Sequence, residues 1–190
     1  MGLIARDTGG GEFEIAPEGT HIAVCDMVVD LGLQETTWGM KHKVYIRWEL
    51  VHERTKDDRP MVVGAIYTVS LSQKADLRQH LESWRGRVFT EQELAGFDLF
   101  NILGKPCQVT VLHNSKNGKT YANVTGVTSI PKGVDKPRSE NTPIAYSIED
   151  HNQAVFENLP EWLRKKINLS GTQDTDNYVP SREFDEDVAF

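Results

Sequence analysis

The chain has 190 residues, of which 26% are charged and 38% are hydrophobic, and its formal net charge is −7 at pH 7. This length and composition favour one well-buried domain with appendages in a soluble protein. No apolar run approaches the length that spans a bilayer, and residues 1–13 lack the apolar segment of a secretory signal. We therefore expect no membrane partner and a cytoplasmic location.

The negative charge is concentrated near the C-terminal end. From Thr172 onward the sequence has six acidic residues and one arginine, a balance of −5, which leaves −2 for the rest of the chain. A strongly acidic protein is a poor partner for nucleic acid, but a nearly neutral body can carry a local basic groove. This distribution keeps nucleic acid among the expected ligands.

The first forty residues predict an arm, a strand and a loop. Residues 1–18 include three consecutive glycines and no hydrophobic period, which is typical of a flexible arm. The β-branched and apolar run at 19–30 predicts the first strand. Residues 31–40 contain two glycines and predict a loop that exposes Trp38.

The clearest strand is predicted over residues 41–53, because two kinds of side chain alternate there. One set is Val44, Ile46, Trp48 and Leu50, and the other is Lys43, Tyr45, Arg47 and Glu49. We expect the apolar set to face the core and the other set to form a basic and aromatic outer face. A charged turn at 54–60 then leads into an antiparallel third strand at 61–71.

Helices and a hairpin are predicted next. Residues 72–85 have apolar side chains at helical spacing, with Ser72 as the N-cap candidate, and a shorter helix is expected over 91–103 with Thr90 as its cap. Strands are predicted at 105–113 and 119–130, joined by an Asn-Gly turn.

Five strands with a helix between the third and fourth have the connectivity of an OB-fold, a Greek-key barrel that commonly binds oligonucleotides. We therefore expect a mainly β, OB-fold-like five-stranded barrel over residues 19–130. A split barrel or a small β-sandwich has the same periodicity and stays open as an alternative.

Three further segments follow the expected barrel. Residues 131–149 are rich in proline, lysine and polar side chains and predict a linker. Residues 150–169 regain helical spacing, with a proline inside, and predict a helical appendage. Residues 170–190 show no period and are expected to form a disordered acidic tail.

The outer face of the second predicted strand is the first candidate site. Aromatic rings between cations suit single-stranded nucleic acid, because any base stacks on a ring while phosphates meet lysine and arginine. The predicted DNA-binding residues are Trp38, Lys41, Lys43, Tyr45, Arg47, Tyr67, Lys116, Lys119 and Tyr121. The alternative is a solvated strand face with ordinary packing and surface roles for these side chains.

The sequence offers little for catalysis. Its six histidines lie on different predicted elements without metal-ligand spacing, and it has no Gly-rich phosphate loop. Cys25 and Cys107 each lie in an apolar strand, which predicts small buried thiols. We therefore predict no enzyme activity, no cofactor and no metal site.

Residues 182–190 mix acidic and aromatic side chains and end on Phe190. Such charges cannot be buried without partners, and an acidic peptide closed by an apolar residue fits a basic, apolar-floored pocket on another protein. The predicted partner-binding residues are Phe184, Asp185, Glu186, Asp187, Val188 and Phe190. A tail that merely solvates the chain is the alternative.

Taken together, these features resemble single-stranded DNA-binding proteins. The tip Asp185-Glu-Asp-Val-Ala-Phe is similar to the acidic, phenylalanine-terminated tip of the bacterial members. The segments that resemble the bacteriophage-encoded members are Glu82-Ser-Trp-Arg-Gly-Arg, Phe97-Asp-Leu, Leu103-Gly-Lys-Pro-Cys and Gly118-Lys-Thr-Tyr-Ala-Asn-Val.

The resemblance implies an OB-fold that binds and protects single-stranded DNA, without strong sequence preference, during phage DNA replication and recombination. It also implies that the tip recruits replication or recombination proteins and that the protein acts in the host cell cytoplasm. The alternative is a non-enzymatic structural or adaptor protein whose barrel binds protein. The oligomeric state stays open.

Overall fold

The computed structural model describes residues 14–170, which form a mainly β structure with short helices. The strands are β1 (Gly19–Thr36), β2 (Gly39–Arg54), β3 (Pro60–Thr68), β4 (Pro106–Lys116), β5 (Lys119–Thr128) and β6 (Ile144–Tyr146). The helices are α1 (Asp76–Arg85), α2 (Glu91–Ala95), α3 (Gln153–Asn158) and α4 (Glu161–Asn168), with a 3-10 turn at Leu99–Ile102. The predicted mainly β fold is confirmed. The predicted arm at 1–13 and tail at 171–190 lie outside the described residues.

The sheet has the strand order β3-β2-β1-β4-β5, and all of these neighbours are antiparallel. Strand β6 pairs with β1 in parallel, with Met27 opposite Ile144 and Val29 opposite Tyr146. The two end strands of this order, β3 and β5, also contact each other. The sheet therefore curves around one of its faces, and α1 lies between β3 and β4 in the chain as expected.

Strand β1 is longer than predicted, and the loop expected over residues 31–40 is wrong. Gly32 takes a positive φ of 65° at a register shift, so it forms a bulge within the strand instead of ending it. The strand continues to Thr36, which pairs with Gly39. Only Thr37 and Trp38 remain for a tight turn.

The helical segments differ from the prediction at their ends. Helix α1 begins four residues after Ser72, at Asp76, and its N-cap position is occupied by Ala75, whose side chain cannot accept a hydrogen bond. Thr90 caps α2 as predicted, in a reciprocal capping box with Glu93. Helix α2 ends after five residues at Gly96, and the Asp98 side chain then caps the 3-10 turn by accepting from Phe100 N–H.

Two apolar clusters lie on opposite faces of the sheet. The inner core occupies the concave side and includes Trp48, which is 1% exposed, and Trp84, whose indole N–H donates to the Pro106 carbonyl at 2.9 Å. The outer cluster covers β1 from the other side and consists of Met27, Val29, Leu31, Tyr146, Leu159, Leu163 and Ile167. The chain after β5 therefore supplies a second layer over the sheet.

Two buried carboxylates attach that second layer to the sheet. Asp26 accepts two hydrogen bonds from the Arg47 guanidinium, at 3.0 and 2.9 Å, and one from the Asn141 amide at 2.9 Å. Glu49 accepts from the backbone N–H groups of Glu140 and Asn141, both at 2.8 Å. Residues 131–149, which were expected to form a linker, are thus bound to β1 and β2 around Asn141.

In the part of the chain between residues 14 and 170, no helix combines the length and apolar character needed to cross a bilayer.

Replacing Glu49 with glutamine tests this attachment. The amide offers one acceptor oxygen where the carboxylate offers two, so one backbone N–H at residues 140–141 loses its partner. We expect the free energy of unfolding to fall by about 1–3 kcal/mol. Urea denaturation measures the change. E35Q, at an exposed position of β1, is the matched control and should stay within about 0.5 kcal/mol. Equal stabilities of E49Q and E35Q would contradict the role assigned to Glu49.

Candidate nucleic-acid interface

The β1–β2 hairpin presents an aromatic ring and a lysine at its tip. Trp38 is 66% exposed, and the Thr36 hydroxyl accepts from its N–H at 3.2 Å, which holds the turn. Met40 is also exposed, and Lys41 pairs with Gln34 on the opposite strand. The predicted residues Trp38 and Lys41 therefore both lie at the end of this hairpin.

The β4–β5 hairpin is the second exposed tip. Asn117 and Gly118 have φ values of 52° and 73°, which suits a two-residue turn with both residues left-handed. Lys116 pairs with Lys119 next to that turn, and Tyr121 pairs with Asn114. The predicted residues Lys116, Lys119 and Tyr121 thus lie on one hairpin, and Tyr121 is 49% exposed.

Leu112 lies beside Tyr121 on the same outward face, because it is two residues from Asn114 along β4. It is 51% exposed, and the sequence prediction did not include it. The alternation along β4 could have found it, because Cys107, Val109 and Val111 lie on the buried side and Leu112 belongs to the alternate set on the other side. The hairpin therefore offers an apolar and aromatic patch flanked by two lysines.

The charge pattern around this hairpin is unusual for an acidic protein. The chain has 28 acidic residues, yet residues 99–134 contain none, while four lysines lie in that segment. Glu18 approaches β4 from the preceding segment, but it already accepts a hydrogen bond from His113 N–H at 2.7 Å. A phosphate backbone along β4 and β5 would therefore meet no carboxylate from residues 99–134, and Glu18 beside His113 is the neighbouring negative charge.

The middle of β2 is covered, which corrects the expected open face at Tyr45 and Arg47. The Tyr45 ring meets Trp162 of α4 edge-on, with centroids 4.9 Å apart, and burial raises the Tyr45 pKa to about 12. Arg47 is committed to Asp26, whose side chain is fully buried. Residues 140–168 fold back over both side chains. Tyr45 and Arg47 therefore help to attach the second layer to the sheet.

Two other predicted residues, Lys43 and Tyr67, form hydrogen bonds within the protein. Lys43 donates from Nζ to the Thr68 hydroxyl at 2.6 Å across the β2–β3 pair. Tyr67 is only 6% exposed, and its hydroxyl lies 2.9 Å from His80 Nδ1. Burial raises the Tyr67 pKa, so the ring belongs to the inner core and does not extend a stacking surface.

A partly buried ion pair links β1 and β2. His42 Nε2 is 2.6 Å from Asp30 Oδ1, and Asp30 also accepts from the N–H groups of Gly32 and Ile148. Burial favours a higher Asp30 pKa, but these hydrogen bonds outweigh it and lower the pKa. The hydrogen bond to Asp30 is the main cause of the raised His42 pKa.

The histidine, cysteine and acidic side chains of residues 14–170 are the candidates for metal binding and thiol chemistry. Within residues 14–170, no group of three or more His, Cys, Asp or Glu side chains is arranged to hold a metal ion. Cys25 and Cys107 are buried and free, and burial raises the pKa of both thiols. The predicted partner-binding residues from Phe184 to Phe190 lie outside the described residues.

The sequence matches no protein-family model, and a comparison with curated proteins gives no significant match.

The contact between Tyr45 and the β3 backbone gives a first test of the covered face. A Cβ at Gly64 would overlap Oη and Cζ of Tyr45, whose ring is held by Trp162. We expect G64A to lower the free energy of unfolding by about 1–3 kcal/mol, as overpacking does, and to shift Trp162 fluorescence. G126A is the control, because its Cβ would lie 3.8 Å from Thr110. A fully stable G64A would contradict this packing.

The Asp30–His42 pair predicts a pH dependence of stability. Asp30 stabilises the fold above its unfolded pKa of 3.8, and this contribution is lost as the pH falls through the lowered folded pKa. His42 contributes below its unfolded pKa of 6.5, and this contribution is lost as the pH rises through the raised folded pKa. Both contributions are complete only between these unfolded values.

We therefore expect the difference in unfolding free energy between wild type and H42Q to be largest between pH 3.8 and 6.5. It should reach up to about 1 kcal/mol and shrink above that window. Urea titrations across the pH range measure it, with H52Q, at an exposed position of β2, as the matched control. A difference that does not depend on pH would contradict the pairing.

Proposed function

We propose that this protein binds single-stranded DNA without strong sequence preference, through the tips of the β1–β2 and β4–β5 hairpins. The observation that carries the proposal is the acid-free segment 99–134, which exposes Tyr121 and Leu112 beside Lys116 and Lys119. Rings and apolar side chains accept bases of any identity, and the adjacent lysines attract phosphates.

The topology supports an OB-like interpretation of the fold. The order β3-β2-β1-β4-β5, the contact between β3 and β5, and the helix between β3 and β4 are the features expected of such a barrel. In OB-folds the loops between the first two and the last two strands bind oligonucleotides. Under this interpretation, the two exposed hairpin tips of this chain correspond to those two loops.

In this proposal the side chains divide into binding and supporting groups. Trp38 and Tyr121 stack on bases, each contact worth about 1–3 kcal/mol. Lys41, Lys116 and Lys119 neutralise phosphates and release counterions. Tyr45, Arg47 and Tyr67 support the sheet from covered positions. Lys43 donates a hydrogen bond to Thr68 and is assigned to neither group. Binding and protection require no bond to be made or broken, so no catalytic group is needed.

The acidic tip at residues 182–190 has two roles in the proposal. It recruits replication or recombination proteins through Phe190 and its carboxylates. It also competes with DNA for the basic surface at low salt, because both are anionic. In a phage-infected cell such a protein would coat single strands and bring partners to them.

Tryptophan fluorescence tests the stacking contact. Trp38 and Trp162 are the exposed tryptophans in the described chain, whereas Trp48 and Trp84 are buried. We expect oligo-dT to quench wild type and W162F but to leave W38F nearly unquenched. Y121A should lose about 1–3 kcal/mol of binding free energy, as removal of one stacked base predicts. Quenching that persists in W38F would contradict the assigned site.

Salt dependence provides a second readout for the same interface. Each phosphate contact contributes about 0.7 to the slope of log K against log salt for single strands, so K116E/K119E should reduce the slope by about 1.4. K56E/R59E makes the same charge change in the β2–β3 turn and is the matched control. Wild type that neither binds oligo-dT nor shows salt dependence would favour the adaptor alternative.

A further inference from the structure

A basic groove lies away from the hairpin tips, where α1 ends and β4 begins. It has a volume of about 880 Å³ and continues between the end of β5 and residues 136–138. Its cations are Arg85, Arg87, Lys105, Lys136 and Arg138, and Glu93 is its carboxylate. Trp84, Phe97 and Ile102 form an apolar floor.

Glu93 forms hydrogen bonds and ion pairs with residues close to it in the chain. It accepts hydrogen bonds from the guanidinium groups of Arg85 and Arg87 and from Thr90 N–H. The hydrogen bond from Arg87 is the main reason why the Glu93 pKa falls to about 2, with Thr90 and Arg85 adding to it. Glu93 therefore stays ionised and balances only part of the arginine charge.

The other three cations of the groove have no carboxylate partner among residues 14–170. Lys105, Lys136 and Arg138 are exposed, and none of them forms an ion pair with any residue between 14 and 170. The three positive charges around the groove repel each other, and an anionic ligand would be attracted to all three.

Arg85 supplies an independent sign of a missing acceptor. Its guanidinium carbon lies 4.4 Å from the Phe89 ring centroid and 5.2 Å from that of Phe97, which fixes the side chain in place. Its Nη1 atom is buried, and no residue of the described chain accepts a hydrogen bond from it. The hydrogen-bonding capacity of Arg85 is thus not used up, and as a lining residue it adds its charge to the positive potential of the groove.

The groove and the β4–β5 tip are the two ends of one structural unit. Lys105 precedes β4 and Ser129 follows β5, while Lys116 and Lys119 flank the turn at the other end. Strand β4 has 11 residues and is on the order of 35 Å long. The acid-free segment 99–134 covers this whole length, and its outward side chains include Thr110, Leu112 and Asn123.

We propose that the groove binds the phosphate groups of the same single strand that stacks at the tips. The strand then runs from the β4–β5 tip along the outer face of this hairpin into the groove, where Lys105, Lys136 and Arg138 hold its backbone. This inference rests on the proposed DNA binding and extends it. Because the acid-free segment 99–134 leads from the tip to Lys105 in the groove, the occupant we assign is the strand already bound at the tip.

The test compares short and long oligo-dT on wild type and K136E/R138E. Probes of about 6 and about 16 nucleotides lie within the site sizes of OB-folds. We expect K136E/R138E to bind the longer probe roughly tenfold more weakly, as the loss of phosphate contacts predicts. Quenching of Trp38 by the shorter probe should stay within about twofold of wild type, which also shows that the variant is folded and its tip intact.

K56E/R59E carries the same change in net charge outside the groove, and it should bind both probes nearly as wild type does. No loss for either probe in K136E/R138E would overturn the groove assignment while leaving DNA binding at the tips intact. Equal losses for both probes would overturn it too, because the effect would then not depend on the length of strand that reaches the groove. Wild type that binds neither probe would refute the proposed function itself.

A labelled peptide of residues 182–190 completes the experiment. If this peptide binds wild type but not K136E/R138E, and the longer oligo-dT binds both equally, the groove is an acidic-peptide site and the proposal is overturned. If the longer oligo-dT displaces the peptide and depends on Lys136 and Arg138, the phosphate assignment is supported.

Discussion

The burial of Asp26 and Glu49 on neighbouring strands is the constraint on which the architecture depends. A carboxylate removed from water requires charged or N–H partners, and here the partners come from distant parts of the chain. Arg47 reaches Asp26 from β2, while the amide of Asn141 and the backbone at 140–141 come from beyond β5. Arg54 adds an outer contact to Glu140 at 2.6 Å. Folding of the sheet and attachment of the C-terminal segment are therefore coupled.

This attachment decides which surfaces of the sheet remain available. Once residues 140–141 are held, β6 pairs with β1 and α4 packs over Tyr45. The outer face of β1 and β2 is then partly occupied by the protein's own chain. Exposed rings and unbalanced lysines remain at the hairpin tips and on β4–β5. The candidate interface thus lies at the edge of the second layer and not beneath it.

Much of the secondary structure followed from local rules. Alternation along β2 predicted which side chains enter the core, and the Asn117-Gly118 turn predicted the β4–β5 hairpin. The rules failed where local and tertiary preferences compete. Gly32 was expected to interrupt β1, but pairing with β2 on both sides of it absorbs a bulge. The expected linker holds a strand because its polar residues satisfy buried carboxylates that no local pattern identifies.

The sequence by itself determined the central parts of β1 to β5, the Asn117-Gly118 turn, the core side chains of β2 and the absence of acid between residues 99 and 134, because these depend on neighbours along the chain. Only the tertiary structure decided that Arg47 neutralises Asp26, that Trp162 covers Tyr45, and that Lys105, Lys136 and Arg138 share one groove. Those outcomes depend on contacts between residues as many as 117 positions apart. Their energies come from burial and charge pairing, which periodicity does not encode.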